Sequence, residues 1–302
     1  MKKEITLRMA FILFLLTFVG CANPKPSQMA NELRFSLEGI SALTISYDEE
    51  KITFFEGEGD DLIIKEYMTE NKSSYYAKVT ERNDSIHISE GGKPVFKGGF
   101  SRYIEVYLPE LYHEKLTVTS TNGDIDFSGM SLDLSMLRVD NTSGIVTLDS
   151  AAASDIHLSS TSGTLDLGSI QANQIRLETT SGSVICTELN GNVRYTSTSG
   201  DADIKSAIGS GSYRANNSGK LHVVYTEVNG DLSFFNKNDD ITITLPENLE
   251  FKFQAITKNG SVSTDFQQHV TVSGRTTSGV VGHDPAVTVK VETNNGDIEV
   301  MQ

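Results

Sequence analysis

The chain is poor in cysteine, in basic charge and in long apolar runs, and each shortage closes off a class of protein. Only Cys21 and Cys186 occur in 302 residues, too few for the disulfide framework that staples small exported domains. Lysine and arginine number 25 against 40 aspartates and glutamates, a formal net charge of −15. Phosphate backbones need a basic surface, so no nucleic-acid partner is expected. Past residue 20 no stretch approaches the roughly 18 apolar residues of a spanning helix. Catalytic signatures are equally scarce: there is no GxSxG elbow, Walker loop, dinucleotide fingerprint or HExxH helix. The six histidines (His87, His113, His157, His222, His269 and His283) are scattered, with no pair at metal-ligand spacing. The expectation is a protein without metal, cofactor or catalytic residues.

What is present starts at the N-terminus. Lys2, Lys3 and Arg8 precede an apolar run from Met9 to Val19 that ends in Gly20-Cys21, the length of a signal-peptide core rather than a membrane span. Residues 22–32 are polar, carry Pro24 and Pro26 and show no periodic apolar pattern, which reads as a tether. Phe18-Val19-Gly20-Cys21 resembles a bacterial lipoprotein signal, in which small residues precede a cysteine that is lipidated and becomes the mature N-terminus. That resemblance implies lipidation at Cys21 and a membrane partner through the lipid; an ordinary secretory signal cleaved near Gly20 or Ala22 is the alternative. Removing residues 1–20 takes away Lys2, Lys3, Arg8 and Glu4 and moves the charge from −15 to −17.

The body of the chain repeats itself. A polar turn, usually ending in Ser-Gly or Asn-Gly, recurs at Gly123, Gly144, Gly163, Gly182, Gly200, Gly219, Gly260, Gly279 and Gly296, and NKNDD supplies a degenerate copy with Asp239 in the glycine's place. The spacings are 21, 19, 19, 18, 19, 20, 21, 19 and 17 residues, a ten-copy repeat. Apolar residues sit seven and five before the glycine, as in Leu137/Val139 and Ile175/Leu177, and two and four after it, as in Val146/Leu148 and Val184/Cys186. Each copy is therefore two period-two strands about a turn. The Gly219 copy is one step out of phase, with Tyr213 and Ala215 apolar, which predicts a slip or bulge. Leu132, Ile170, Leu189 and Ile208 recur as a third short side.

A strand pair with one inward face cannot bury itself, so stacked copies sharing columns of inward side chains are expected. The predicted fold is all-β, a right-handed β-helix-like solenoid of about ten repeats; an antiparallel sandwich with a hairpin at each glycine competes with it. Glycine suits a tight reversal by tolerating positive φ, and Asp239 can enter that region at some cost. Leu108-Pro109-Glu110 and Leu245-Pro246-Glu247 each place leucine fourteen residues before an Asn-Gly, and proline predicts strand ends there. Segments 42–47, 51–55, 61–65 and 85–89 alternate as well, which suggests an irregular β start capping the stack. The expected organisation is a signal peptide (1–20), a flexible tether (21–35), an N-terminal β segment or cap (36–100) and a solenoid (101–302).

These turns, with the upstream β segment and Leu-Pro motif, resemble the bacterial "putative adhesin" β-repeat family, a domain of unknown function, over residues 36–302. The resemblance implies an extracytoplasmic, often lipid-tethered solenoid with adhesion or envelope-stress roles. Cys186 falls in an inward column, where cysteine acts as a small hydrophobe. Motif serines are too many to be a nucleophile, which should be singular and backed by one base. Outward carboxylates at Asp124/Asp126, Asp166, Asp201/Asp203, Asp231 and Asp297/Glu299 could collect calcium, but a solvated face is the simpler reading. Three functions follow: a surface-tethered, non-enzymatic module binding a glycan or surface protein; an envelope scaffold or stress-response accessory protein; and, requiring clustered acids and bases, a polysaccharide-active enzyme.

Overall fold

The structure, a computed structural model, describes residues 28–95 and 99–302. The expected signal peptide and Cys21 lie outside the described residues. Among the described residues no helix is long and apolar enough to cross a membrane.

Strands one repeat apart lie parallel and in register: Leu137 faces Ile156, Ile156 faces Ile175, and Ile175 faces Val193. Parallel pairing at the repeat spacing makes a solenoid and rules out the sandwich, whose successive strands would pair antiparallel through hairpins. In the middle of the stack each coil is one long, twice-bent strand: Ile145–Ser160, Thr164–Thr179, Ser183–Ser197, Ala202–Ala215 and Leu221–Asn236. The predicted columns face inward, with Leu165, Leu167, Ile175 and Leu177 at 2% exposure or less. Burying one such side chain contributes about 1.5–3 kcal/mol, and the columns repeat that gain coil after coil.

Two details of the columns differ from expectation. On the third side Ala207, not Ile208, lies opposite Leu189, and Ile208 is half-buried. The inward place is seven residues after the turn glycine, as for Ile170 and Leu189, and Ile208 at eight falls on the outward phase. The slip before Gly219 resolves into one extra residue in the turn, because Tyr213 stays opposite Tyr195 and Gly211 opposite Val193. The space a side chain would take at Gly211 is occupied by the Tyr213 ring and the Tyr225 hydroxyl. Tyr213 in turn stacks on Phe234, with ring centroids 4.9 Å apart.

The turn glycines are needed for a reason other than backbone twist. Of them only Gly144 and Gly219 have φ in the left-handed region, at 109° and 113°, and Asp239 does not enter it. At Gly163, Gly182 and Gly200 a Cβ would fall within 3.0 Å of the carbonyl oxygen of the preceding turn glycine. Close stacking of one turn on the next demands glycine there.

Both ends depart from sequence order. The first coil, Ala42–Tyr47 with Lys51–Gly57, lies between its successor, Ser85–Ser89 with Arg102–Pro109, and the coil of Lys115–Ser120 and Ile125–Asp126. The last coil, Val287–Asn295 with Ile298–Met301, likewise inserts between Leu221–Asn236 with Ile241–Thr244 and Phe251–Asn259 with Val262–Thr264. Each time the chain must step over one coil, and each step leaves from Leu-Pro-Glu: Pro109 closes its strand and Leu245-Pro246 follows Ile241–Thr244. Proline ends the ladder and releases the chain for the longer crossing, which accounts for the match between the two segments.

The coils therefore begin at Ala42, upstream of 101, and the expected cap at 36–100 contains regular coils whose turns lack the Ser-Gly signature. The Gly279 copy is not a coil turn. Its strand, Thr276–Val281, runs antiparallel to Phe251–Asn259 and to Val270–Ser273. Part of the expected tether is a strand, Met29–Ser36, antiparallel to Asp61–Met68, because Leu33 and Phe35 pack against the core. Antiparallel ribbons thus cover both ends of the stack, which would otherwise present open edges.

Candidate functional site

The turn edge was the richest polar feature in the sequence, and its side chains are occupied with one another. Three residues before the glycine runs a buried polar column, including Ser120, Asn141, Ser160, Ser197 and Asn236. The Ser160 hydroxyl accepts from the Gly163 N–H at 2.9 Å, and Asn236 Nδ2 donates to the Gly219 carbonyl at 2.7 Å. Outside the turn a second ladder climbs the stack. Asn259 donates to Asn295 at 2.7 Å, Asn295 to Asn238 at 2.7 Å, Asn238 to Asn217 at 3.3 Å and Asn217 to Ser199 at 3.1 Å. Its order follows the permuted stack.

The acidic residues after the glycine have a similar duty. Asp124, Asp201, Asp240 and Asp297 accept the backbone N–H of Ile145, Lys220, Asp297 and Ser261 in the adjoining coil, at 2.7–2.9 Å. The Ser261 N–H and hydroxyl hold the Asp297 carboxyl below its ordinary range. Asp203 meets His222 Nδ1 at 2.8 Å, and burial of Asp126 is outweighed by hydrogen bonds from Ser128 and Lys51 that lower its pKa. These carboxylates cap the ladder. Among the described residues no group of three or more His, Cys, Asp or Glu side chains is placed to hold a metal.

Cys186 is fully buried, its Sγ 3.4 Å from the Glu188 carbonyl, and burial pushes its thiol up to about 12; it is a core residue. His157 and His222 pair with Glu178 and Asp203 of the adjoining coils. One cluster of acids and bases was not visible in the sequence, because its members are far apart in it. Arg102 Nη1 lies 3.1 Å from Glu90 and 3.6 Å from Glu50, and Lys93 Nζ lies 2.7 Å from Glu90. The Arg102 side chain has no exposure and also donates to the Gly92 carbonyl at 2.8 Å. The opposite charges pair and tie the stretch between Ser85–Ser89 and Arg102–Pro109 to Glu50 of the first coil.

The corner where the third side bends back into the first is different. Leu134, Ala153, Ala172 and Gly191 stand in register there, followed by Gly209. After Leu134 the run is small, alanine or glycine, and along it lies an open groove of about 560 Å³ crossing successive coils. Gly191 and Gly209 have φ of 147° and 123°, which L side chains seldom adopt. The walls are Gln171, Asn173, Asn190, Asn192 and Asn229 with Ser154 and Ser210, and Asp133 lies in the first of the coils. Among the described residues none of those five carboxamides forms a side-chain hydrogen bond within the chain. The sequence carried a signal for this groove, carboxamides eight and ten residues after the turn glycine in Gln171-Ala172-Asn173 and Asn190-Gly191-Asn192, but against so many polar turns it did not stand out.

The family model of Toastrack DUF4097 matches residues 40–301. Among solved structures, a putative adhesin from Parabacteroides distasonis is 12% identical over 89% of this chain and 96% of that chain, with a TM-score of 0.44. One from Parabacteroides merdae is 14% identical over 92% and 98%, with a TM-score of 0.39. A putative cell adhesion protein from Clostridium sporogenes is 14% identical over 90% and 99%, with a TM-score of 0.26. Likenesses this distant carry no argument about function. No curated protein matches this chain.

Proposed function

The chain belongs to the Toastrack DUF4097 family, and from its groove we propose that it is a non-enzymatic binding module, tethered outside the cytoplasm through Cys21, that presents a rigid solenoid corner to a glycan or surface protein. The observation that carries this reading is the set of carboxamides without a side-chain hydrogen bond among the described residues, in a concave corner of a stack whose turn-edge asparagines bond to one another. Carboxamides exchange no protons near neutral pH and cannot serve as general acid or base. Among the described residues Asp133 is the single ionisable one lining the groove, which supports binding without turnover. A stack of paired strands holds the groove in shape before a ligand arrives, which lowers the ordering cost of binding.

The test is direct binding of the chain from residue 22 to a panel of cell-wall glycans, host glycans and matrix proteins, with and without calcium. Saturable binding without product, lost in the Asn173→Ala, Asn192→Ala double variant, is expected. Binding that survives the double variant places the site elsewhere, and product formation overturns the non-enzymatic reading. Membrane fractionation of wild type against Cys21→Ser tests the tether: the variant should leave the membrane fraction.

A further inference from the structure

We propose that the groove takes an uncharged, hydroxyl-rich polymer, a neutral oligosaccharide chain lying along the stack axis. This rests on the groove being the binding site and adds the chemical class of its occupant.

Charge is the first ground. Among the described residues no lysine or arginine lines the groove and Asp133 is its single ionisable residue, and the whole chain carries −15. A polyanionic glycan would find no counter-charge and be repelled, while a basic peptide would find one carboxylate. The second ground is the backbone. Thr164–Thr179 is paired on one side with Ile145–Ser160 and on the other with Ser183–Ser197. A peptide therefore has no free strand edge to extend, and the shallow floor of Leu134, Ala153, Ala172 and Gly191 offers no pocket for an apolar or aromatic anchor.

The third ground is the match of hydrogen-bonding groups. Each carboxamide offers donors and an acceptor, and a hydroxyl is likewise both. Carboxamides or hydroxyls recur along the groove in adjoining coils: Gln171 faces Asn190 and Asn192 faces Ser210, while Asn173, beside Ser154 of the coil before, is the extra residue where the ladder slips and Asn192 pairs with Gln174. Parallel strands bring equivalent positions back about every 4.8 Å. From the coil of Asp133 to that of Asn229 the groove spans five such steps, about 24 Å. A linear polymer bearing hydroxyls at every unit can meet several of these groups at once, so its affinity should grow with length until the groove is filled. Among the described residues the five carboxamides have no side-chain hydrogen bond that must break first.

The experiment is isothermal titration of the chain from residue 22 with maltohexaose, cellohexaose, xylohexaose and mannohexaose, each beside its trimer, with a galacturonic acid hexamer and a Ser/Thr-rich hexapeptide as the other classes. At least one neutral hexamer should bind about 10-fold more tightly than its trimer. Asn173→Ala and Asn192→Ala should each weaken it about 5-fold, and Asn238→Ala on the turn edge should not. Both groove residues are exposed, so these variants keep the fold, which an unchanged urea midpoint verifies. If no neutral hexamer binds, the proposal is overturned. If the acidic hexamer or the peptide binds instead and the two alanines abolish it, the ligand class is wrong while the groove reading stands. Binding of any of them unaffected by the alanines overturns both.

Discussion

The turn edge and the groove are built from the same kinds of residue, asparagine, serine and glycine repeated at coil spacing, yet they differ in where their hydrogen bonds go. On the turn edge Asn217, Asn238, Asn295 and Asn259 bond to one another, and the buried Asn236 bonds to a turn carbonyl. In the groove Asn173, Asn190 and Asn192 have no side-chain hydrogen bond among the described residues. Composition therefore says little about which polar row holds a solenoid together and which is left to contact something else. Backbone stacking is as close at Gly191 and Gly209 as at the turn glycines; what separates the two rows is that the turn-edge asparagines reach one another from coil to coil, whereas the groove carboxamides flank an open channel.

The sharpest way to break this contrast is at the stacked glycines. Gly182→Val should cost about 3 kcal/mol in urea denaturation, because its Cβ would press on the Gly163 carbonyl; a loss under about 1 kcal/mol would mean that the turns can spread, and that stacking does not explain the glycines. Next comes Asn236→Ala, which strips the Gly219 carbonyl of its buried donor and should cost about 2 kcal/mol. A neutral result there would remove the structural role assigned to the inner column.

A smaller effect is expected from the capping carboxylates. The Asp297 pKa is depressed in the folded chain by the Ser261 N–H and hydroxyl, so its stabilisation is complete above the unfolded carboxylate value, about 3.9, and is lost as pH falls through the lower folded value. Asp297→Asn should melt below wild type at pH 6, and the two curves should converge as pH drops below about 4. A gap that widens in acid would contradict the capping role. The smallest effect on stability belongs to the groove: Asn173→Ala with Asn192→Ala should shift unfolding by less than about 0.5 kcal/mol. A larger loss would mean that these side chains hold the coils and that the contrast with the turn edge is false.

Much of the coil was legible residue by residue. Leu165, Leu167, Ile175 and Leu177 were assigned inward places from spacing alone and are buried; Cys186 was read as core from the company of its column, and it is. These assignments depend on alternation along one strand, which is a local property. Ile208 was misplaced because the third side gives one apolar residue per coil, too few to fix the phase. The Ser-Gly at 278–279 looked like another turn, but its strand pairs antiparallel with Phe251–Asn259. The glycines were explained by twist when the constraint is the turn stacked beneath each one, which no single copy of the repeat reveals.

By itself, then, the sequence determined the repeat, its inward columns, the solenoid class and the points where proline ends a strand, since all of these follow from periodic burial along the chain. Only the tertiary structure decided that the first and last coils insert beside coils other than their sequence neighbours, that Glu50, Glu90, Lys93 and Arg102 meet, and that one row of carboxamides is hydrogen-bonded while another, among the described residues, is not. The physical reason is that a hydrogen bond or an ion pair between coils depends on what lies above and below, and stacking order is set by which edges remain to be paired, not by which segment comes next.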